Sequence, residues 1–244
     1  ERALRIREAA LGPNHPDVGI SLINLGVWFS DLGQHERALP LHERALRIVE
    51  VAFGPYHPVV ATNVNNLAMM LSAMGQFERA LPLLQRALRI REAAFGPNHP
   101  DVANSLNGLA MVFTSMGQYE QALPLHERAL RIREAALGPN HPDVAGSLDN
   151  LAVLFDSMGQ YERALPLHER ALAIRASSLR DLARHQQEQG VVQFLSTLHG
   201  EAYSLISLAM EHPNDPRPRQ LALQSALLFK ARGEEEAVAT LAAL

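Results

Sequence analysis

The pentapeptide Gly-Pro-Asn/Tyr-His-Pro starts at Gly12, Gly54, Gly96 and Gly138, and the pair Gly-Gln recurs at Gly33, Gly75, Gly117 and Gly159. Both series have a period of 42 residues. A fixed period of this size implies an array of like units stacked on their neighbours, in place of one or two globular domains. The units fall at 12–53, 54–95, 96–137 and 138–180, with part of an earlier unit at 1–11 and a non-repeating stretch at 181–244. Residues Glu1 to Leu11 repeat Glu127 to Leu137 letter for letter, so the sequence is expected to enter the array inside a second helix.

Each unit reads as two helices. In the first unit His15 is placed to cap the first helix, Pro16 suits its first position, and Asp17 suits the positive helix end. Apolar residues then follow at helical spacing as Leu22, Leu25, Phe29 and Leu32. The stripe returns as Val64, Leu67, Leu71 and Met74, as Leu106, Leu109, Phe113 and Met116, and as Leu148, Leu151, Phe155 and Met158. Gly33 is placed to end the helix in a left-handed conformation. The second helix is predicted over about His35 to Phe53, packing through Ala38, Leu41, Ala45 and Ile48 and crossed by Pro40. Its charges from Glu36 to Glu50 read as a solvated face, with Glu43 and Arg47 spaced for an ion pair within the helix. One hairpin cannot bury both its stripes alone, and stacking can.

The spacing of Leu67, Ala68, Leu71, Gly75, Phe77, Ala80 and Ala87 resembles the tetratricopeptide repeat. The longer unit, with HPDVANSLNGLA and GQYEQALPLHERALRIRE, is similar to the repeats of kinesin light chains and of many bacterial proteins. The resemblance implies an all-α fold: a right-handed superhelical solenoid of helix-turn-helix repeats with a helical C-terminal extension. It also implies a module that binds protein or peptide along a concave face. An assembly or oligomerisation scaffold using convex or edge surfaces is the alternative.

Past Ile174 the pattern fades. Helices are predicted over about Val191 to Met210, over about Arg219 to Arg232, and from Glu234, with a proline-rich turn between the first two, and they are expected to cap the array. The tail SLAMEHPNDPRPRQLALQSALLFKARG is similar to the segment that joins repeats to a caspase-like protease in bacterial TPR-CHAT proteins. That similarity implies a regulatory arm of an effector whose protease domain would lie beyond Leu244. The chain has no cysteine, so the His/Cys dyad of such a protease is not within it.

Composition narrows the chemistry. Net charge is −4, which argues against nucleic-acid binding, and no apolar run approaches the roughly 20 residues of a membrane span. The absence of cysteine fits a cytoplasmic protein without disulfides or thiolate metal sites. No metalloprotease, nucleophile-elbow or phosphate-loop motif is present, so no enzyme activity, cofactor or metal is expected. His15, His57, His99 and His141 recur in one loop, too far apart to share a metal, and His42, His126 and His168 recur where the second unit has Leu84.

A second stripe on the first helices lies opposite the packing one, on the face that lines the concave groove in tetratricopeptide proteins. Its candidate peptide-binding residues are Asn24, Val27 and Asp31; Asn65, Asn66 and Met69; Asn104, Asn107 and Met111; and Asp149, Asn150, Val153 and Asp156. Amides both donate and accept, as an extended peptide backbone requires, and methionine adapts to varied apolar side chains. The same asparagines are also placed to brace a neighbouring unit. Asp149 and Asp156 read as a solvated face rather than a catalytic pair, and with Asp31 they favour a neutral or basic ligand.

Overall fold

The computed structural model describes residues 2–184, 208–210 and 215–230. Among these residues the structure is helical: α1 (Arg2–Leu11), α2 (Pro16–Asp31), α3 (His35–Phe53), α4 (Pro58–Ala73), α5 (Phe77–Phe95), α6 (Pro100–Ser115), α7 (Tyr119–Leu137), α8 (Pro142–Ser157), α9 (Tyr161–Arg184) and α10 (Pro216–Lys230). The chain divides into two compact units, Glu1–Ile132 and Arg133–Leu244. The predicted helix from Val191 lies outside the described residues apart from 208–210, as does the one from Glu234.

The period-42 signals carry out the tasks their chemistry suggests. His15 accepts the Asp17 amide through Nδ1 at 3.2 Å, and His57, His99 and His141 cap α4, α6 and α8 in the same way. An imidazole nitrogen accepts that bond through its lone pair, as a side-chain oxygen does at other helix starts. At the other end of α2, Gly33 takes φ 69° while the Gln34 amide reaches back to the Phe29 carbonyl at 2.8 Å. That left-handed turn satisfies carbonyls the helix leaves open, at a backbone conformation that suits glycine. Leu32, assigned to the packing stripe above, lies beyond the last turn of α2 and is half exposed.

In the first unit α2 packs on α3, α3 on α4, α4 on α5 and α5 on α6. One core cluster joins Val18, Leu22, Ala45, Ile48, Val60, Val64, Ala87 and Ile90, and a second joins Phe29, Ala38, Leu71, Ala80, Leu84 and Val112. The alanines are fully buried, which lets second helices approach their neighbours closely. Each fully buried leucine or isoleucine contributes roughly 1.5–3 kcal/mol by leaving water.

The charge run on the second helices is not simply a solvated face. Arg44, Arg86 and Arg128 reach Glu8, Glu50 and Glu92 of the preceding second helix at 2.6–2.7 Å, and within the second unit Arg170 meets Glu134 at 2.7 Å. The same arginines donate to the loop carbonyls of Pro13, Pro55, Pro97 and Pro139 at 2.9–3.2 Å. Each guanidinium thus ties a helix to the previous helix and to the loop that follows it. A second interlock joins Arg7 to Ser21, Arg91 to Ser105 at 2.7 Å and Arg133 to Ser147 at 2.8 Å. Where the arginine gives way to Val49, the serine gives way to Asn63.

In the second unit α8 packs on α9 and α9 on α10. Leu165 and Leu172 of α9 share a cluster with Leu208, Leu221 and Ala222. Asp215 accepts from Tyr161 Oη at 2.8 Å and from Arg217 at 2.6–3.1 Å, while Arg217 also reaches Glu162 at 3.3 Å. The Arg217 contacts hold the Asp215 carboxyl well below the usual carboxylate range, and burial together with Asp215 raises the Tyr161 phenol. The helix predicted from about Arg219 starts earlier, at Pro216, because Asp215 caps it by accepting the Arg217 amide at 2.9 Å.

Candidate functional site

The asparagines of the first helices fall into two rows with different surroundings. Successive residues on a helix point about 100° apart, so Asn65 and Asn66 cannot face the same way. The outer row holds Asn24, which is exposed, and Asn66 and Asn150, which are half buried. Around it, Asp31, Asn104, Met111 and Val153 are exposed, and Val27 and Met69 are half buried. Gly108 interrupts the row in the third repeat for a packing reason. A Cβ there would lie 3.2 Å from Leu84 Cδ2 and 3.4 Å from Asn65 Oδ1 and Met69 Sδ.

The inner row turns toward the second helices. Asn107, expected above to face a ligand, is instead buried, and its Oδ1 lies 3.0 Å from His126 Nδ1. It supports the packing and is withdrawn from the ligand face. His42 is equally buried and draws its partner from the next repeat: its Nδ1 lies 2.7 Å from Asn63 Oδ1, while Asn63 Nδ2 donates to the His42 carbonyl at 2.9 Å. A carbonyl only accepts, which fixes the amide orientation and makes the His42 Nδ1–H the donor. Gly26 makes room for that ring, since a Cβ there would sit 2.7 Å from His42 Nε2. Burial lowers the pKa of both histidines, that of His126 to about 4, so both rings are neutral. In the second repeat the histidine is Leu84, and Asn65 Oδ1 is buried with no hydrogen-bond partner among the described residues.

The fourth repeat carries charge at the same place. Asp149 replaces the amide, and Asp156 lies one to two turns further along α8. His168 Nε2 stands 3.1 Å from Asp156 Oδ2, and Nδ1 is at ion-pair distance, 3.7 Å, from Asp149 Oδ1. The second Asp149 oxygen is held by Arg175. Burial pulls the His168 pKa down, but the two carboxylates outweigh it and raise it to about 9. Asp149 and Asp156 therefore form neither a solvated face nor a ligand surface. They are the counter-charges of a buried imidazolium and a buried guanidinium.

Among the described residues no three His, Asp or Glu side chains converge as ligands of a metal ion would, and no helix is long and apolar enough to cross a membrane. Recurrence could have separated the rows: each of Asn107 and Asp149 stands 19 residues before a histidine, whereas the outer asparagines have no such partner.

The profile of the family described as Tetratricopeptide repeat matches residues 1–50, 28–93, 59–135 and 101–177, and a second, described as Tetratrico peptide repeat, matches 147–244. The second match carries the repeat signal past Ile174, into the stretch where the 42-residue motifs fade. Among solved structures the chain is similar to BtubC (BKLC) from P. vanneervenii, with 30% identity and a TM-score of 0.59 over 67% of this chain and 65% of that one. The chain thus spans just under two thirds of that relative. It is also similar in fold to a Podosopora anserina protein described as a kinesin light chain with nearly identical TPR-like repeats. There the identity is 24% and the TM-score 0.63, over 90% of this chain and 99% of that one. No curated protein sequence matches.

Proposed function

Because this chain belongs to the tetratricopeptide repeat family, whose repeats mediate protein–protein interaction, we propose that it holds an extended peptide of a protein partner along the outer face of its first helices. The observation that carries this reading is the division of the asparagines. The inner row is used in packing, whereas the outer asparagines stay exposed or half buried in each unit taken by itself: Asn24 and Asn66 with Val27, Met69 and Met111 in the first, and Asn150 with Val153 in the second. A binding role accounts for amides that packing does not require. Asn104 and Asp31 complete the face, Asn65 leaves it because its Oδ1 is buried in the inner row, and Asp149 and Asp156 drop out because their charge is already compensated. The expected ligand is consequently a neutral peptide, with weaker salt dependence than three free carboxylates would give. The fold is typically non-catalytic, and the reading assigns no reaction to the chain. In this reading the module works in the cytoplasm as the regulatory arm of a larger bacterial effector such as a caspase-like protease, on the strength of the tail's similarity to TPR-CHAT proteins.

The test is selection of 12-residue peptides from a displayed random library against the full chain, followed by titration of one selected peptide. Asn66→Ala with Asn150→Ala is expected to weaken binding by about 1–3 kcal/mol with little change in melting temperature. A double variant that melts early yet binds unchanged would assign the outer row to bracing and remove the reading.

A further inference from the structure

Between Val51 and Gln85 the chain departs from its own repeat at four positions. Val51 stands where the other second helices have Ala9, Ala93 and Ala135, and Tyr56 stands where the other loops have Asn14, Asn98 and Asn140. Val59 replaces Asp17, Asp101 and Asp143, and Gln85 replaces Glu43, Glu127 and Glu169. Three of these changes add apolar bulk, and two remove a carboxylate. Packing does not ask for the two largest additions to the surface: Val51 is 91% exposed and Tyr56 is 79% exposed.

The repeat geometry brings these positions to one surface of α3 and α5. An open cavity of about 380 Å³ is lined by Asn14, Arg44, Arg47, Ile48 and Val51, so the loop ahead of α2 lies beside α3. One repeat later Tyr56 takes the place of Asn14 and Arg89 that of Arg47, and Arg86 holds that loop by donating to the Pro55 carbonyl at 3.1 Å. Arg86 also meets Glu50 at 2.6 Å, which makes α3 and α5 neighbours. The charge of this surface is one-sided. In the third repeat Arg131 lies 3.9 Å from Glu127, one turn before it. Arg89 has the neutral Gln85 at that spacing, and Arg47 has Glu43, yet among the described residues neither arginine is in a salt bridge. His15, His99 and His141 each lie 3.6–3.9 Å from an aspartate, whereas Val59 takes the aspartate's place after His57.

We propose that this surface docks an acidic segment of a partner protein, one with aliphatic side chains between two carboxylates. An aliphatic side chain enters the cavity against Ile48 and Val51, and the carboxylates meet Arg47 and Arg89, whose planar forks suit them. Packed helices stand roughly 8–10 Å apart and an extended chain advances about 3.3 Å per residue, so the two carboxylates are about three residues apart. Tyr56 adds apolar contact and a hydroxyl next to Arg89. A phosphate backbone would use the arginines but leave Val51 and the cavity idle. The surface lies on the second helices, is distinct from the outer asparagine face and does not depend on that reading.

The probe is a fluorescein-labelled peptide, Ser-Asp-Glu-Leu-Leu-Glu-Asp-Ser, titrated with the full chain and followed by anisotropy. Saturable binding that weakens several-fold with added salt is expected. Arg47→Gln with Arg89→Gln should weaken it by about tenfold. Val51→Ala with Tyr56→Asn, which only restores residues of the other repeats, should have a similar effect. Gln85→Glu returns the missing carboxylate beside Arg89 and should weaken binding a few-fold. All these positions are exposed, so melting temperatures should not move. Asn66→Ala with Asn150→Ala should leave this peptide unaffected, which separates the surface from the outer asparagine face. Four results overturn the proposal: no saturable binding up to about 1 mM, equal binding of the peptide with Asn and Gln in place of Asp and Glu, parent-like binding by the arginine and Val51–Tyr56 variants, and a loss that follows Asn66 and Asn150 instead.

Discussion

The third and fourth repeats answer one packing problem with opposite electrostatics. In the third, His126 is buried beside the amide of Asn107 and stays neutral. In the fourth, His168 is buried beside Asp149 and Asp156 and stays protonated. A change from amide to carboxylate at one repeat position is enough to reverse which form of the ring the fold prefers. Asp149 can afford its charge because Arg175 shares it. The repeat position therefore specifies a buried imidazole, and the residues around it specify its charge.

The comparison breaks most visibly if its anion is removed. Asp149→Ala leaves His168 and Arg175 without the carboxylate between them and is expected to cost about 3 kcal/mol in urea unfolding. Asn107→Ala, which strands only a neutral donor, is expected to cost about 1–2 kcal/mol. Equal losses would show that charge makes no difference between the two repeats.

Changing pH gives the next largest effect, with opposite signs in the two places. His168 has a folded pKa above the ordinary value of 6.5, so the stability from its proton is full below 6.5 and drains away as pH rises through about 9. His126 has a folded pKa below 6.5, so its burial costs stability as pH falls from 6.5 toward about 4. Urea midpoints at acid, neutral and alkaline pH should therefore lose their alkaline decline in His168→Leu and part of their acid decline in His126→Leu. If the alkaline decline survives in His168→Leu, its source lies elsewhere.

The finest test converts one environment toward the other. Asn107→Asp is expected to change overall stability by less than about 1 kcal/mol while moving the His126 titration upward, read by NMR from its ring protons. A midpoint unchanged from that of the parent chain would mean that Asp156 and Arg175, rather than Asp149, set the behaviour of His168.

Much of the fold was legible in the period. The histidine caps, the terminating glycines and the helix bounds of the repeats follow from local chemistry that the sequence states four times. The two asparagine rows were harder to separate, because Asn65 and Asn66 are neighbours in sequence and only the position of the second helix decides which of them turns inward. The roles of the arginines are hidden in the sequence for a related reason. A reading along one helix pairs Glu43 with Arg47, while the structure pairs Arg44 with Glu8, 36 residues away, and only stacking brings those two together. Along α8 alone Asp149 and Asp156 read as a solvated face, because their partners, His168 and Arg175, come from the following helix.

The arginine clamp has a consequence for how such a chain can change its length. Each clamp takes a glutamate from one repeat and an arginine and a loop carbonyl from fixed offsets around the next, so it is indifferent to how many repeats lie between the ends. Excising 54–95 would bring Glu50 into register with Arg128, and duplicating the same block would create one more pair of the same kind. A gene encoding this array can gain or lose whole units by unequal recombination without stranding a charge at the new seam. The Arg–Ser interlock lacks that freedom, because the Val49 and Asn63 pair has no interchangeable neighbour. The seam between the first and second repeats is therefore the one where such an exchange should leave a scar.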